Sequence, residues 1–216
     1  MKATFEGAAS YVPETRRLSV LADAAAGCRG CPLYADANQT VFGEGRRDAP
    51  LILVGEQPGD REDVQGHPFV GPAGHVLWRC VEQAGIDRAH VFATNAVKHF
   101  KHEVRGKRRL HKRPNTDEIE ACHPWLDAEM QAVKGRVIVA LGAVAARSLL
   151  GRPVPIAKSR GTEFELDGRV VVVTYHPSAV LRADEAAEEI RAALVSDLRA
   201  ADTRSRESVG AVRRRQ

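Results

Sequence analysis

Hydrophobic and polar positions divide the chain into short apolar runs that alternate with longer amphipathic segments. Continuous apolar runs of strand length are typical of strands buried on both faces. Four such runs lie at Leu51–Gly55, 90–97, Val137–Leu141 and 170–174. The longer segments have helical periodicity and end signals such as Gly27, Pro72 and Gly85, which mark helix termini. We therefore predict helices at 15–26, 72–84, 116–133, 143–150 and 184–201.

This alternation predicts an α/β fold, a single-domain three-layer α/β/α arrangement with a central, mainly parallel four-stranded sheet. Ligands of such sheets bind beyond the carboxyl ends of the strands. Polar segments follow three of the predicted strands, at 56–60, 95–98 and 176–178. We expect them to meet in one crevice and to form an active site.

The positive charge of the chain is concentrated in two segments. The formal net charge is only +4, yet segment 98–113 contains eight Lys or Arg and one Glu, and segment 204–216 contains five Arg and one Glu. A concentrated basic patch suits a phosphate backbone. We expect the first segment to be a nucleic-acid-binding loop of a domain at 1–203. The second is expected to be a disordered tail, because it has little apolar content.

Neither a membrane-spanning run nor a secretory pattern is present in this sequence, so we expect a cytoplasmic protein with reduced cysteines. Cys28 and Cys31 form a CxxC pair in a loop. The pair precedes the first strand, which argues against a thioredoxin-like motif and leaves a zinc ion or an iron–sulfur cluster. Cys80 lies on the apolar face of its predicted helix and is expected in the core.

A metal site of this kind needs further ligands. Cys122 lies in a predicted helix beside Ile119 and Trp125, where a buried thiol is the simplest interpretation. His99 and His102 are further candidates, because both follow a strand. His123 is a weaker candidate, since neighbouring helical residues point about 100° apart.

Seven motifs follow one another along the chain. They are Cys28-x-x-Cys31, Gly55-Glu56-Gln57-Pro58-Gly59-Asp60, Pro68-Phe69-Val70-Gly71-Pro72-Ala73-Gly74, Thr94-Asn95-Ala96-Val97-Lys98-His99-Phe100, Lys107-Arg108-Arg109-Leu110-His111, Ala121-Cys122-His123-Pro124-Trp125 and His176-Pro177-Ser178. This ordered set resembles the iron–sulfur uracil-DNA glycosylases, specifically the UdgX type, and the resemblance covers about Cys28 to Arg182. Most members of the wider family lack the basic insertion and have Ala at the position of Gln57, and both departures match the UdgX subgroup. Leu110 stands where that subgroup commonly has Ile.

The resemblance implies a [4Fe-4S] cluster held by Cys28, Cys31, His99 and Cys122. The wider family usually has a cysteine at the position of His99, and a histidine ligand would alter the charge and potential of the cluster. The expected role of the cluster is structural. It would connect the N-terminal loop to the segments on either side of the basic insertion.

The same resemblance assigns roles to the residues of the expected crevice. Phe69 would stack on uracil and Asn95 would read its edge, with Gly55 and Asp60 beside them. His176 would donate to uracil O2, and Glu56 would stabilise the oxocarbenium ion or act as a base. Gln57 belongs with these catalytic residues. Lys98 is expected to contact DNA, Arg109 to hold the basic loop, and Ser178 to serve one of these two roles.

His111 is the residue that the resemblance assigns to covalent attack on the sugar C1′. The attacking imidazole must be neutral, and the unperturbed pKa of histidine is about 6.5. Nearby cations should disfavour its protonation further, and four of them surround His111 in the sequence. These are Arg108, Arg109, Lys112 and Arg113.

The predicted function is therefore excision of uracil from DNA, preferably single-stranded, by a monomer that becomes covalently linked to the deoxyribose, with free uracil as the product. Two alternatives stay open. One is a turnover glycosylase in which Glu56 activates water. The other is a metal-containing nucleic-acid-binding module without catalysis, which would bind DNA irrespective of uracil and lose affinity strongly with salt.

Overall fold

The computed structural model describes residues 5–213. Its strands are β1 (Leu51–Gly55), β2 (Val91–Asn95), β3 (His102–Arg105), β4 (Arg108–His111), β5 (Val137–Leu141), β6 (Glu163–Leu166) and β7 (Arg169–Thr174). Its α-helices are α1 (Leu18–Ala25), α2 (Asp60–Gln65), α3 (Pro72–Gln83), α4 (Thr116–Ala132), α5 (Ala143–Leu150), α6 (Ile156–Ser159), α7 (Ser178–Arg182) and α8 (Ala187–Arg213). Short 3-10 helices lie at Ala9–Tyr11, Pro32–Ala35 and Arg88–His90.

The four predicted strands form one sheet, in the order β2-β1-β5-β7, and all of them are parallel. The register pairs Gly55 with Asn95 and Leu141 with Thr174, so the carboxyl ends of the strands lie along one edge. The polar segments that follow β1, β2 and β7 therefore leave the sheet at the same side.

Helices cover both faces of this sheet, which confirms the predicted three-layer α/β/α fold. On one face, Leu51, Val139 and Val172 pack with α3 and α8, and on the other, Ile52, Ile138 and Val171 pack with α4 and α5. Every residue of β1, β2 and β5 is buried. This explains why those strands are continuous apolar runs rather than alternating ones.

A fifth strand, β6, extends the sheet beyond the four that we predicted. It pairs antiparallel with β7 through a turn in which Asp167 and Gly168 both have positive φ angles. Its residues alternate between exposed and half-buried. A four-residue edge strand with this weak pattern carries too little periodicity to be recognised in the sequence.

The basic segment 98–113 contains a β-hairpin, not the loop that we expected. Strands β3 and β4 form a separate antiparallel pair that joins His102 to His111 and turns at Gly106. Below the hairpin, the Lys112 N–H donates to the Lys101 carbonyl at 3.0 Å. The backbone pairing gives the charged segment a fixed shape, although its side chains are mostly exposed.

The last helix also continues further than we expected. We predicted disorder from Arg204, but α8 extends to Arg213, with Ser205 buried and Arg206 paired to Asp202 at 2.7 Å. Residues 214–216 lie outside the described residues. None of the helices in 5–213 combines the length and hydrophobicity that crossing a bilayer requires.

Candidate active site

A cavity of about 900 Å³ opens at the carboxyl ends of the parallel strands. Eight of the residues predicted for the site line it, although they come from five separate parts of the chain. The hairpin contributes one of them from outside the sheet. These residues are Glu56, Gln57, Asp60, Phe69, Asn95, His111, His176 and Ser178.

Gly55 lies where Phe69 and Asn95 meet. A Cβ atom at Gly55 would lie 2.3 Å from Asn95 Oδ1 and 2.7 Å from Phe69 Cζ. Only glycine permits such close contacts. Phe69 and Asn95 are both buried, so the aromatic ring and the amide form adjoining walls at the inner end of the cavity.

The hydrogen bonds around His176 determine which ring nitrogen carries the proton. Arg182 donates to Ser178 Oγ at 2.8 Å, and Ser178 Oγ lies 2.7 Å from His176 Nδ1. The Ser178 backbone N–H also donates to Nδ1, at 3.2 Å. Nδ1 is thus the acceptor, and neutral His176 has its proton on Nε2. Burial, assisted by the positive charge of Arg182, lowers the pKa of His176 to about 4.

His111 lies at the rim of the cavity, with its side chain about 50% exposed. Gln57 Nε2, an obligatory donor, is 2.9 Å from His111 Nε2, so this nitrogen of the neutral imidazole holds a lone pair. Gln57 is itself fixed by backbone groups below the hairpin: it accepts from Lys101 N–H at 3.2 Å and donates to Lys112 O at 2.9 Å. Gln57 therefore connects β1 to the hairpin and orients His111.

The pKa of His111 is lowered, as expected from the sequence, but the origin differs from our expectation. Burial is the main cause and Arg182 is the second. The four cations that surround His111 in the sequence are not among the causes. Glu56 Oε1 lies 3.7 Å from His111 Nε2, and burial raises the pKa of this carboxyl.

Arg109 attaches the hairpin to α2. Its guanidinium donates to Asp60 Oδ1 at 2.7 Å and to Asp63 Oδ2 at 2.5 Å, and Asp63 is fully buried. Asp63 also accepts from the backbone and side chain of Asn38. The predicted loop-holding role of Arg109 is consistent with these bonds, which join the hairpin, α2 and the N-terminal loop.

Lys98 does not contact solvent, so the expectation that it binds DNA is wrong for this structure. Its ammonium is fully buried and donates to Glu129 Oε2, Thr94 Oγ1 and the Asn95 carbonyl, at 2.7, 2.8 and 2.7 Å. Glu129 also accepts from Gly43 N–H at 2.8 Å. The pair supports Asn95 from beneath the cavity.

Replacing Lys98 by methionine is expected to destabilise the fold by about 3–5 kcal/mol, because the Glu129 carboxylate would remain buried without its counter-charge. Chemical unfolding measures this loss. The double variant Lys98→Met/Glu129→Gln keeps an acceptor for the Gly43 N–H and places an amide donor beside the Thr94 hydroxyl, so it should recover most of the lost stability. A loss below about 1 kcal/mol in the single variant, the range of an exposed pair, would contradict this account.

Three of the cysteines lie together at the N-terminal half of α4. Cys28, Cys31 and Cys122 are buried, unpaired and part of one apolar cluster, whereas Cys80 lies in the core between α3 and α8, as predicted. The Lys98 backbone N–H donates to Cys122 Sγ at 3.3 Å. Trp125 lies in the same cluster. Among the side chains that the structure describes, its indole Nε1 is the one buried polar atom without a hydrogen-bond partner.

Histidines near these thiols have different surroundings. His99 is buried, and its Nε2 lies 2.9 Å from Thr40 Oγ1, in the segment that follows the CxxC loop. His102 stacks on Phe100 in the hairpin, and His123 pairs with Asp127 at 3.2 Å. In residues 5–213, no three His, Cys, Asp or Glu side chains lie in a metal-ligating arrangement. The donor chemistry nevertheless fits a thiolate-bound cluster, since buried thiols and an N–H to sulfur bond are present.

Three arginines of the cavity were not identified from the sequence. Arg61, Arg113 and Arg182 line it beside the predicted residues. Arg113 ends the basic segment, but Arg61 and Arg182 belong to short helices that the sequence analysis missed. The spacing of Arg182 four residues after Ser178 was the available signal, since such residues are neighbours on a helix.

Comparisons with known proteins identify the family of this chain. The family described as “Uracil DNA glycosylase superfamily” matches residues 42–199. A type-4 uracil-DNA glycosylase of Thermotoga maritima is 36% identical over 173 residues, 79% of this chain and 85% of the relative. The type-4 enzyme of Pyrobaculum aerophilum is 36% identical, over 72% of this chain and 80% of the relative. That of Archaeoglobus fulgidus is 33% identical, over 75% of this chain and 82% of the relative. The chain belongs to the uracil-DNA glycosylase superfamily.

Proposed function

We propose that this protein excises uracil from DNA, preferably single-stranded, and forms a covalent bond from His111 to the sugar C1′. The observation that carries the proposal is the position of His111 Nε2, 3.7 Å from Glu56 at the rim of the cavity that Phe69, Asn95 and His176 line. The activity named for the relatives supports the choice of uracil. The hairpin supports the covalent step, because it places His111 beside the cavity.

The inner end of the cavity suits a uracil that has left the base stack. A flipped base needs an aromatic face and hydrogen bonds to its edge. Phe69 provides the face, and the amide of Asn95 can donate to O4 while it accepts from N3–H. Asp60 and Gly55 complete the wall around them. The absence of a side chain at Gly55 lets Phe69 and Asn95 adjoin each other, since a Cβ there would clash with both.

Breaking the C1′–N1 bond moves its electron pair onto the base. His176 then donates its Nε2 proton in a hydrogen bond to uracil O2, where negative charge develops. A pKa of about 4 keeps the imidazole neutral, with this donor available throughout the physiological range. Ser178 and Arg182 hold the ring in the tautomer that the reaction needs.

The sugar side of the reaction belongs to Glu56 and His111. The carboxylate of Glu56 stabilises the positive charge of the oxocarbenium ion. The lone pair of His111 Nε2, released from Gln57, forms the new bond to C1′, and the alkylated ring then gives its Nδ1 proton to water. A covalent nucleophile of this kind must be neutral before it attacks.

Arginines at the cavity and the basic face of the hairpin suit the DNA backbone. Arg61, Arg113 and Arg182 offer planar donors that match phosphate oxygens. Extruding a base costs a few kcal/mol in a duplex and least in a strand that is already single. This cost supports the preference for single-stranded DNA.

We propose further that Cys28, Cys31, Cys122 and His99 hold a [4Fe-4S] cluster. The buried thiols, the N–H bond to Cys122 Sγ and the buried indole N–H of Trp125 support a group that carries sulfur acceptors. Such a cluster would have a structural role, joining the N-terminal loop to α4 and to the segment before the hairpin. Thr40, which accepts from His99, and Asn38, which donates to Asp63, link the same loop to His99 and α2.

A turnover glycosylase is the second candidate function. Burial raises the pKa of Glu56, and a carboxyl with a raised pKa is suited to activate water as a general base. In this reaction His111 only contacts DNA. Free uracil would then form in molar excess over the protein.

Incubation with a uracil-containing single-stranded oligonucleotide, followed by denaturing electrophoresis, tests the proposal. We expect a heat-stable protein–DNA band that peptide mapping assigns to His111, with one uracil released per protein. Multiple turnovers without a band would favour the second candidate. If the reaction gives neither a band nor free uracil, both candidate functions are excluded.

The single-turnover rate of adduct formation is expected to stay constant between about pH 8 and 6.5 and to fall on the acid side. Attack requires neutral His111, whose lowered pKa places its protonation below the ordinary value of about 6.5. Protonation of Glu56 acts in the same direction, so Glu56→Gln, measured in parallel, separates the two. A midpoint above 6.5, or a rate that rises with acid, would contradict this assignment.

A further inference from the structure

Phe69 has a backbone conformation that ordinary residues avoid. Its φ angle is +56°, in the left-handed region that costs a non-glycine residue about 1–2 kcal/mol. Gly74 packs directly against it, since a Cβ there would lie 2.0 Å from the Phe69 carbonyl oxygen. A residue remains in such a conformation only where its surroundings fix it.

Trp78 provides a specific contact that fixes it. From the middle of α3, one turn after Gly74, the indole Nε1–H donates to the Phe69 carbonyl at 3.0 Å. Arg88 lies over the face of the same indole, with its guanidinium carbon 4.0 Å from the ring centre. A guanidinium at this distance attracts the ring and restrains its orientation.

We infer that Trp78 is a positioning residue for uracil recognition, which acts by holding the Phe69 peptide so that the phenyl ring faces the base. This inference rests on the proposed function, because it assumes that Phe69 stacks on uracil. Trp78 itself does not line the cavity. It belongs to a shallow cleft on the other side of the Phe69 segment, bounded by Glu44, Pro68 and Arg88.

The variant Trp78→Phe keeps an aromatic ring and removes the donor together with part of the bicyclic ring. One neutral hydrogen bond contributes about 0.5–1.5 kcal/mol, so the half-saturating concentration of uracil oligonucleotide is expected to rise about 2- to 12-fold. The rate at saturation should change less than about 2-fold, since the reacting groups are untouched. Arg88→Gln keeps the indole N–H but removes the guanidinium over its face, so it should raise the half-saturating concentration by less than Trp78→Phe does and leave the rate at saturation within about 2-fold.

Nuclear magnetic resonance provides a readout that a merely structural role would not affect. The chain has two tryptophans, and Trp78→Phe identifies which indole N–H signal belongs to Trp78. Titration with free uracil should shift that signal, because the acceptor is the peptide of the stacking residue.

Two results would overturn the inference, and they are distinguishable. In the first, uracil shifts other resonances but not that of the Trp78 indole, and Trp78→Phe leaves the half-saturating concentration unchanged. This result would exclude the positioning role of Trp78 and leave the proposed function intact. If uracil shifts no resonance and the oligonucleotide gives neither adduct nor free uracil, the proposed function fails and this inference fails with it.

Discussion

Replacing His111 by serine is expected to abolish the heat-stable adduct with uracil-containing single-stranded DNA. Serine has no ring nitrogen to attack C1′, and loss of a covalent nucleophile costs about a thousandfold or more in rate. The remaining cavity keeps Phe69, Asn95 and His176. The variant should therefore still bind the oligonucleotide, and any residual release of uracil would come from water activated by Glu56.

His102→Ser is the matched control for this experiment. His102 stands opposite His111 in the hairpin register, so the two variants remove the same side chain from paired positions of one ladder. His102 stacks on Phe100 and does not line the cavity. Denaturing electrophoresis should show the adduct for His102→Ser and none for His111→Ser. A heat-stable band from His111→Ser, or its loss in His102→Ser alone, would exclude His111 as the nucleophile.

Replacing Cys122 by alanine is expected to remove the iron–sulfur cluster completely. The wild-type protein should contain about four iron atoms and show the broad visible absorption of a [4Fe-4S] group, and the variant should show neither. Without the cluster, the N-terminal loop keeps its apolar packing against α4 but loses the iron–sulfur link to Cys122. The melting temperature should fall as well.

Cys80→Ala separates a ligand from an ordinary buried thiol. Both cysteines are buried, but Cys80 packs between α3 and α8, far from the CxxC loop in the fold. This variant should keep the iron, the sulfide and the absorption. Iron retained in Cys122→Ala, zinc in place of iron, or an equal loss in both variants would each overturn the cluster proposal.

The strand-end chemistry could be predicted from sequence because the central strands are buried on both faces. Strands such as β1 and β5 must be uninterrupted apolar runs, and the polar residues that follow them then have to lie at one edge of the sheet. The sequence therefore predicts that Glu56, Asn95 and His176 lie together, and the cavity contains all three.

Side-chain pairing between segments that are distant along the chain could not be predicted from the sequence. Lys98 lies in a run of cations and was expected to be exposed, because its partner Glu129 is 31 residues away on another element. The hairpin was missed for a related reason. Neither of its strands contains a buried residue, so no alternation of apolar and polar residues marks them. Arg109 could be assigned to loop support only by resemblance; its partners Asp60 and Asp63 lie on a helix that was not predicted.

The hairpin enters and leaves the domain at a single point, where the backbones of Lys101 and Lys112 are hydrogen-bonded to each other. Residues 102–111 could therefore be inserted or excised as one module, with no strand of the central sheet displaced. The base pocket would survive such an excision, because Phe69, Asn95 and His176 are supported from the sheet side. The side chains outside the hairpin that such a module would need are those of Gln57, Asp60 and Asp63, which bond to its base and to Arg109.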